Sequence, residues 1–402
     1  MHVLITTITN GFGGREMHTV GLVNALAAAG HGVSLLSINH HHYEAQRNLM
    51  APSVEMHHRA VSKKIRHVCF DEWQQLFHGL RADVAILQKG SIHVGTWSLE
   101  RALRSRCGRL IAIVHETPAP LLQTQNRVHN SEPGGRLDPL RRYLAEISRG
   151  LVPDMTICVN NVTRDWLIKH RFYSPARTTT VHNGIDVTRF TPSADVRRQW
   201  RRAHGMSETA ILFGMLGRLV TIKQPCVALR QFAALVQRRP DLDARLVFIG
   251  DGPEREPLER EAVLRGLAAQ VRFTGFLSDP VDMLRSLDFL LMPSWGEALP
   301  LSLLEGMATG VVPIAYAVGG IPEVLRDGRE GWLIRPGDEE GFGRQMEAAA
   351  QLDVGRRAEM SRACRDRVVD AFNARKQYAL LVDIIEQVAA RVPSRRVVLS
   401  GC

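Results

Sequence analysis

The sequence predicts an α/β protein built from two doubly wound domains. Three observations predict it. The chain has 402 residues, a length for which two domains are the natural expectation. Short apolar runs alternate with amphipathic stretches, the pattern of parallel strands joined by crossover helices. Gly-rich or polar turns follow several of the runs, at the strand ends where α/β folds place their ligands.

In the first half, His2–Thr7 reads as a strand. The turn Asn10-Gly11-Phe12-Gly13-Gly14-Arg15-Glu16 follows, then a helix to about Ala29 and a strand over Val33–Ile38. Glycine lets backbone approach a ligand closely. Glu16 stands where the third glycine of a G-x-G-x-x-G turn belongs, which argues against a dinucleotide site. A histidine-dense, irregular part comes next, with His40-His41-His42 and Met56-His57-His58. Adjacent histidines do not share one tetrahedral ion without distorting the backbone. A solvated loop, or a patch that gains charge in mild acid, is the preferred reading over a metal. Asp83–Gln88 and Leu110–Val114 read as strands, the second ending at His115-Glu116-Thr117-Pro118. Pro118–Ser131 reads as a loop. Asp138–Arg149 reads as a basic helix whose Arg141, Arg142 and Arg149, with Arg136 before them, face a membrane, an acidic acceptor or solvent. A strand over Asp154–Val159, a helix over Asn161–His170 and a strand over Thr178–Val181 lead to His182-Asn183-Gly184-Ile185-Asp186, with an Asn-Gly turn signal. Pro192 and the polar run after it read as a linker.

In the second half, Ala210–Leu216 reads as a strand, followed by Gly217-Arg218-Leu219-Val220-Thr221-Ile222-Lys223-Gln224 and a helix from about Pro225 to Arg239. Arg218 and Lys223 flank one loop, so both reach toward one diphosphate, a planar fork and a point charge that offset charge on a leaving phosphate. Strands over Arg245–Ile249 and Val271–Thr274 come next. A buried strand over Phe289–Met292 runs into Pro293-Ser294-Trp295-Gly296-Glu297-Ala298-Leu299-Pro300, then a helix opening near Pro300 and stopping before Gly310. Proline suits a first helical position, and a helix start suits a phosphate. Glu297 falls in the loop and Glu305 inside the helix. Ser302-x-x-Glu305 is also a capping-box pattern, so Glu305 either binds a ligand or ties down a helix end. Val318-Gly319-Gly320-Ile321-Pro322-Glu323 follows another strand, with Glu323 readable as a helix-start charge. Asp338–Gln351, Gly355–Ala371 and Ala374–Arg391 read as helices, the last with an apolar stripe of Leu380, Leu381, Ile384, Ile385 and Val388.

The pair Glu297-x7-Glu305, Gly217-Arg218-Leu219-x-x-x-Lys223, the Gly319-Gly320-Ile321-Pro322-Glu323 turn and Asn183-Gly184-Ile185-Asp186 together resemble the nucleotide-sugar site of family 4 glycosyltransferases, retaining enzymes of the GT-B fold. The likeness spans most of the second half and, more thinly, the first. It implies two Rossmann-like domains facing a cleft: residues 1–190 on the acceptor side, 191–373 binding the nucleotide-sugar, a helix over 374–392 crossing back to the first domain, and a tail over 393–402. It implies that Arg218, Lys223, Glu297 and His115 are catalytic. Gly13 and Gly14 aim backbone N–H groups at the donor. Glu297, assisted by Ala298 and Leu299, holds donor-sugar hydroxyls, Glu305 holds ribose, and Glu16 lies near the acceptor. It implies a nucleoside-diphosphate sugar, uridine favoured over guanosine, and a glycan or lipid-linked acceptor in envelope or exopolysaccharide synthesis. The chain departs from the family in Lys223-Gln224, where Lys-Gly is usual, and in Glu297-Ala298-Leu299-Pro300, where a glycine follows the glutamate.

Composition sets further expectations. No apolar run reaches the ~18 residues of a membrane span, the first residues lack the features of a signal peptide, and the six cysteines show no C-x-x-C spacing. A cytoplasmic protein, working at the inner face of a membrane, is expected, with no metal or cofactor, since no Asp-x-Asp stands beside the site. The net charge is +10, and residues 1–190 hold 22 Lys and Arg against 14 Asp and Glu. That field attracts an anionic lipid surface or an acidic glycan, or is simply solvated. No nucleic-acid-binding motif accompanies it. A sugar-nucleotide 2-epimerase on the same fold and a non-catalytic glycan- or membrane-binding protein are the two other classes the sequence leaves open.

Overall fold

A computed structural model describes residues 1–8, 13–38, 43–61, 67–89, 97–115, 151–170 and 173–391. The His40–His42 run, Glu116, the Pro118–Ser131 loop, the Asp138–Arg149 helix and the tail over 393–402 lie outside the described residues.

Two parallel sheets carry the fold. The first holds β1 (His2–Ile8), β2 (Gly32–Ile38), β3 (Glu55–Arg59), β4 (Ala82–Lys89), β5 (Cys107–Val114), β6 (Met155–Cys158) and β7 (Thr178–Thr180), in the order β3-β2-β1-β4-β5-β6-β7. The second holds β8 (Ile211–Leu216), β9 (Ala244–Ile249), β10 (Val271–Phe273), β11 (Phe289–Met292), β12 (Val312–Tyr316) and β13 (Trp332–Ile334), in the order β10-β9-β8-β11-β12-β13. In both, the order reverses beside the first strand, which opens a crevice at the C-terminal strand ends. The central strands are near-continuous apolar runs because helices cover both faces.

The helices are α1 (Gly14–Ala28), α2 (Phe70–Leu76), α3 (Trp97–Arg106), α4 (Asn161–Lys169), α5 (Ala194–Ala203), α6 (Pro225–Arg238), α7 (Arg255–Leu264), α8 (Val281–Ser286), α9 (Leu301–Ala308), α10 (Ile321–Val324), α11 (Glu339–Ala350), α12 (Val354–Ala371) and α13 (Ala374–Ala390). Two elements correct the sequence reading. Met56-His57-His58 lies in strand β3, paired in register with Leu35 to Ser37, not in an irregular loop. Its partly exposed sheet-edge position asks for little apolar alternation. The polar run after Pro192 is the helix α5, capped by Ser193 Oγ on Val196 N. Its Arg201 is buried, donating to Asp288 Oδ2 at 2.7 Å and to the carbonyls of Ser286 and Ala210. Asp288 also receives Arg197 at 2.6 Å and Leu212 N at 2.8 Å, so one buried carboxylate pins α5 to β8 and the entry of β11.

The chain leaves the first sheet and later returns alongside itself. Ile185 N donates to Phe372 O at 2.8 Å and Ala374 N to Ile185 O at 2.9 Å. A side chain at Gly184 would sit 2.6 Å from Ala374 Cα, so only glycine lets the two segments run this close. From there α13 packs on α1 and on β4 and β5, burying Leu381, Ile385 and Val388. Arg109 of β5 donates to the carbonyl of Val388 at 3.2 Å and to that of Arg391. No described helix is long and apolar enough to cross a membrane.

Candidate active site

On the second sheet, the loop after β8 is held by main-chain bonds. Leu219 N donates to Asp251 O at 2.8 Å and Trp295 N to Ile222 O at 2.8 Å, which ties this loop to the one after β11. Gln224 adopts φ +52° and ψ +48°, the left-handed conformation that a glycine takes without strain. Its amide Nε2 braces the turn by donating to Thr221 O at 2.7 Å. The substitution of Lys-Gly by Lys223-Gln224 therefore leaves a left-handed turn in place. Lys223 Nζ meets Glu297 Oε1 at 2.5 Å, with the Glu297 side chain 7% exposed and Lys223 24%. Arg218 is exposed, and its guanidinium engages no partner among the described residues.

The loop carrying Glu297 is fixed through its carbonyls. Ala298 O accepts from Gly320 N at 2.7 Å, and Leu299 O accepts from Asn183 Nδ2 at 2.8 Å. A side chain at Gly320 would lie 2.2 Å from Ala298 O, so the Gly-Gly turn exists to let these loops touch. The N–H groups of Ala298 and Leu299, like those of Ser294 and Gly296, make no hydrogen bond among the described residues. Pro300 is the N-cap of α9, with ψ +126°, not its first residue. Ser302 thus stands inside the first turn and cannot close a capping box with Glu305. The Glu305 carboxylate makes no hydrogen bond among the described residues. Burial raises its pKa to about 7, Arg189 opposing and Asp279 adding to the shift.

On the first sheet, Gly13 is the N-cap of α1. A side chain at Gly14 would lie 3.7 Å from Leu301, so the start of α1 faces the start of α9 across the crevice. Glu16 is buried at 3% exposure and paired with Arg15 Nη2 at 2.9 Å. Strand alternation sets the rest. Ile5, Ile86 and Ile113 pack toward Val20 and Val23 of α1, so Thr7 and Gln88, and His115 just beyond β5, continue that face. His115 Nε2 lies 2.5 Å from Gln88 Oε1, and the His115 ring stands edge-on to His18 of α1 at 4.7 Å. Burial depresses the pKa of His18 to about 4. Burial, then His18 and Arg15 nearby, push that of His115 well below the usual histidine value. Both rings are neutral at physiological pH. Gln88 Nε2 and His18 Nδ1 are buried without partners among the described residues. On the opposite face, Lys89 Nζ and Glu100 Oε1 form a fully buried ion pair at 2.6 Å.

Glu323 lies in the first turn of α10, but its carboxylate serves the other domain. It accepts from the N–H groups of Asn161 at 2.8 Å and Val162 at 3.1 Å, capping α4, and meets His182 Nε2 at 2.7 Å. Burial alone would raise its pKa; these bonds outweigh it and hold the pKa below the usual range. Among the described residues no cluster of three His, Cys, Asp or Glu is placed for a metal. A cavity of about 750 Å³ lies elsewhere, between α12 and the turn at Arg326–Arg329. Arg326, Arg356 and Arg367 on its wall are tied to Glu330, Glu359 and backbone carbonyls.

The structure thus sets Arg218, Lys223, Glu297, Ala298, Leu299 and Glu305 beyond β8 and β11, and Gly13, Gly14, Glu16 and His115 beyond β1 and β5. The two groups meet where Gly14 faces Leu301 and Asn183 holds Leu299. Sequence reasoning missed Gln88, His18, Lys89 and Glu100; a polar pair ending an apolar strand was the available signal for the Gln88-Lys89 step.

Comparison with known proteins agrees on the class. The family model described as Glycosyltransferase Family 4 matches residues 12–189, and that described as Glycosyl transferases group 1 matches residues 210–351. A D-inositol 3-phosphate glycosyltransferase of Saccharomonospora viridis is 31% identical over 296 residues, 71% of this chain and 67% of its own length. Its counterpart in Streptomyces avermitilis is 28% identical over 377 residues, 88% of this chain and 79% of its own. Among solved structures, Anabaena Alr3699/HepE in complex with UDP and glucose superposes with a TM-score of 0.75 at 15% identity, covering 96% of this chain and all of that one. WaaG, a glycosyltransferase involved in lipopolysaccharide biosynthesis, superposes at 0.73 and 17%, covering 96% of this chain and 99% of its own. The chain belongs to the family 4 glycosyltransferases and has their GT-B fold.

Proposed function

We propose that the enzyme transfers a sugar from a nucleoside-diphosphate sugar, a UDP-sugar in preference to a GDP-sugar, to a hydroxyl of a glycan or lipid-linked acceptor in envelope or exopolysaccharide synthesis, with retention of configuration. The observation that carries this reading is the pinned loop pair after β8 and β11, which brings Lys223 onto Glu297 and leaves Arg218 open to solvent beside it in sequence. Arg218 and Lys223 take the charge growing on the leaving diphosphate, in place of a metal. Glu297 has one oxygen on Lys223, and with the N–H groups of Ala298 and Leu299 it receives donor-sugar hydroxyls. Glu305 accepts the ribose hydroxyls. Gly13 and Gly14 present backbone N–H groups from the facing helix start. His115 contacts the sugar as a neutral ring, and Glu16 borders the acceptor. Among the described residues no second carboxylate pair of glycosidase type is placed here, so same-face attack with the leaving phosphate taking the acceptor proton is the simplest retaining route. The basic surplus of the first half supports work at an anionic membrane face on the cytoplasmic side.

The test is release of nucleoside diphosphate from UDP-glucose, UDP-N-acetylglucosamine and GDP-mannose against an acceptor panel that includes D-inositol 3-phosphate and lipid-linked glycans, with EDTA present. Acceptor-dependent release is expected with a UDP-sugar. Consumption of donor without acceptor and without diphosphate release would instead indicate an epimerase.

A further inference from the structure

Among the described residues, the first-sheet end of the crevice contains no exposed charge that its geometry dedicates to a ligand. It contains two neutral imidazoles and an amide. Gln88 Oε1 is an acceptor only, so at 2.5 Å from His115 Nε2 it requires the proton on that nitrogen. The other ring nitrogen, Nδ1, is then a lone-pair acceptor. The same amide holds its NH₂ in the interior, with no partner for Nε2 among the described residues. An unpaired buried donor is costly, so a fold does not keep one idle without return. Among the described residues, the titratable groups packed around the His115 ring are His18 and Arg15 from α1, with Tyr378 of α13 behind His18 at 5.6 Å. Glu16 is engaged by Arg15, and no carboxylate among the described residues bonds either ring.

We infer that Gln88 is the positioning residue of this end of the site. It fixes His115 in the Nε2–H tautomer and adds its own amide N–H as a second uncharged contact. The pair together reads a sugar hydroxyl, not a phosphate, carboxylate or amine. A hydroxyl both donates and accepts, so it satisfies a lone-pair nitrogen and an amide N–H alike. A phosphate or carboxylate would meet the Nδ1 lone pair unfavourably, and an ammonium would meet the amide N–H unfavourably. The inference rests on the transferase reading for the identity of the ligand, but the tautomer claim stands apart from it.

Three variants test it in the full-length chain: Gln88→Glu, Gln88→Leu and His115→Gln. Imidazole ¹⁵N shifts of histidine-labelled protein, with His115 assigned by His115→Gln, report protonation and tautomer directly. In the wild type His115 is expected neutral and Nε2-protonated from pH 5.5 to 8. In Gln88→Glu a carboxylate replaces the amide oxygen at the same place, and His115 is expected to titrate within that range. In Gln88→Leu the fixed tautomer is expected to give way to a mixture. UDP affinity by calorimetry is expected within about twofold of wild type in both Gln88 variants, because the nucleotide end is separate. Release of UDP from the accepted donor is expected to fall at least tenfold in Gln88→Leu, and to acquire a new ionisation between pH 6 and 8 in Gln88→Glu. A wild-type His115 signal in Gln88→Glu, or a loss of UDP affinity in Gln88→Leu, would overturn the assignment. Should Gln88→Leu fail to fold, the isosteric Gln88→Glu decides alone. Absence of UDP and GDP binding in the wild type would sink the transferase reading, while the imidazole shifts still judge Gln88.

Discussion

The two strand-end clusters that face each other treat charge in opposite ways. Among the described residues at the ends of β4 and β5 of the first sheet, charge is either suppressed or shut away. His18 and His115 are held neutral, and Lys89 is locked onto Glu100 in the interior. Beyond β8 and β11 of the second sheet, charge is presented. Arg218 stands in solvent, Lys223 stays a quarter exposed on Glu297, and Glu305 has no partner among the described residues. A pyrophosphate needs cations at hand when its charge grows. A sugar ring needs donors and acceptors of fixed direction and no net charge. The crevice is polarised accordingly, one wall for each end of an activated sugar.

The largest expected effect breaks the closed side. Lys89→Met removes the cation from the buried Glu100 carboxyl, whose Oε2 has no partner among the described residues. A loss of about 3–5 kcal/mol of stability is expected by urea unfolding, and Lys89→Met with Glu100→Leu should recover much of it. If the single variant unfolds like wild type, the pair is not buried as described.

On the open side, Arg218→Ala is expected to lower kcat by about 10²–10³, near 2.7–4 kcal/mol, with thermal stability unchanged because the side chain is exposed. Steady-state kinetics with the accepted donor checks it. A stability loss without a kinetic one would make Arg218 structural.

Glu305 sharpens the contrast through pH. Its folded pKa of about 7 exceeds the ordinary 4.5, so the fold favours the protonated form, and stability declines as pH rises from about 4.5 through 7. A ribose diol donates to the carboxylate, so binding favours the ionised form. Affinity for UDP-glucose, which does not itself titrate there, is expected to rise up to about tenfold between pH 6 and 8. Glu305→Gln should flatten that slope. An equal slope in both would assign the titration elsewhere.

The smallest effect concerns the turn. Gln224→Gly removes the left-handed strain but also the bond to Thr221 O. A net gain within about 1 kcal/mol is expected by thermal unfolding, with Lys223 and hence kcat little changed. A large drop in kcat would show that the Gln224 brace, not the backbone conformation, holds Lys223.

Much of the fold and of the charged wall was legible in the sequence, and the reasons are local. The buried strands are apolar runs, and the loops after β8 and β11 carry cations and carboxylates at short spacing. What stayed hidden was set by long-range packing. Arg201 is charged, yet it is the buried face of α5; the spacing Arg197, Trp200, Arg201, His204 is helical, but its polarity reads as linker. Glu55-Met56-His57-His58-Arg59 lacks alternation because β3 is an edge. Glu323 sits at a helix start as expected, yet its carboxylate caps a helix 162 residues earlier. Gln88 and His115 are 27 residues apart and meet only because β4 and β5 pair.

The return of α13 to the first sheet sets an order of events at the ribosome. Leu381, Ile385 and Val388 belong to a core whose other members begin at Val3. Each such side chain contributes about 1.5–3 kcal/mol when sheltered. The amino-terminal half therefore emerges incomplete and waits, its unsealed flank open to the chaperones that attend nascent chains. The carboxy-terminal sheet, contiguous in sequence, has its last strand by Ile334, before any residue of α13 is made. The earliest residues made are among the last to become secure.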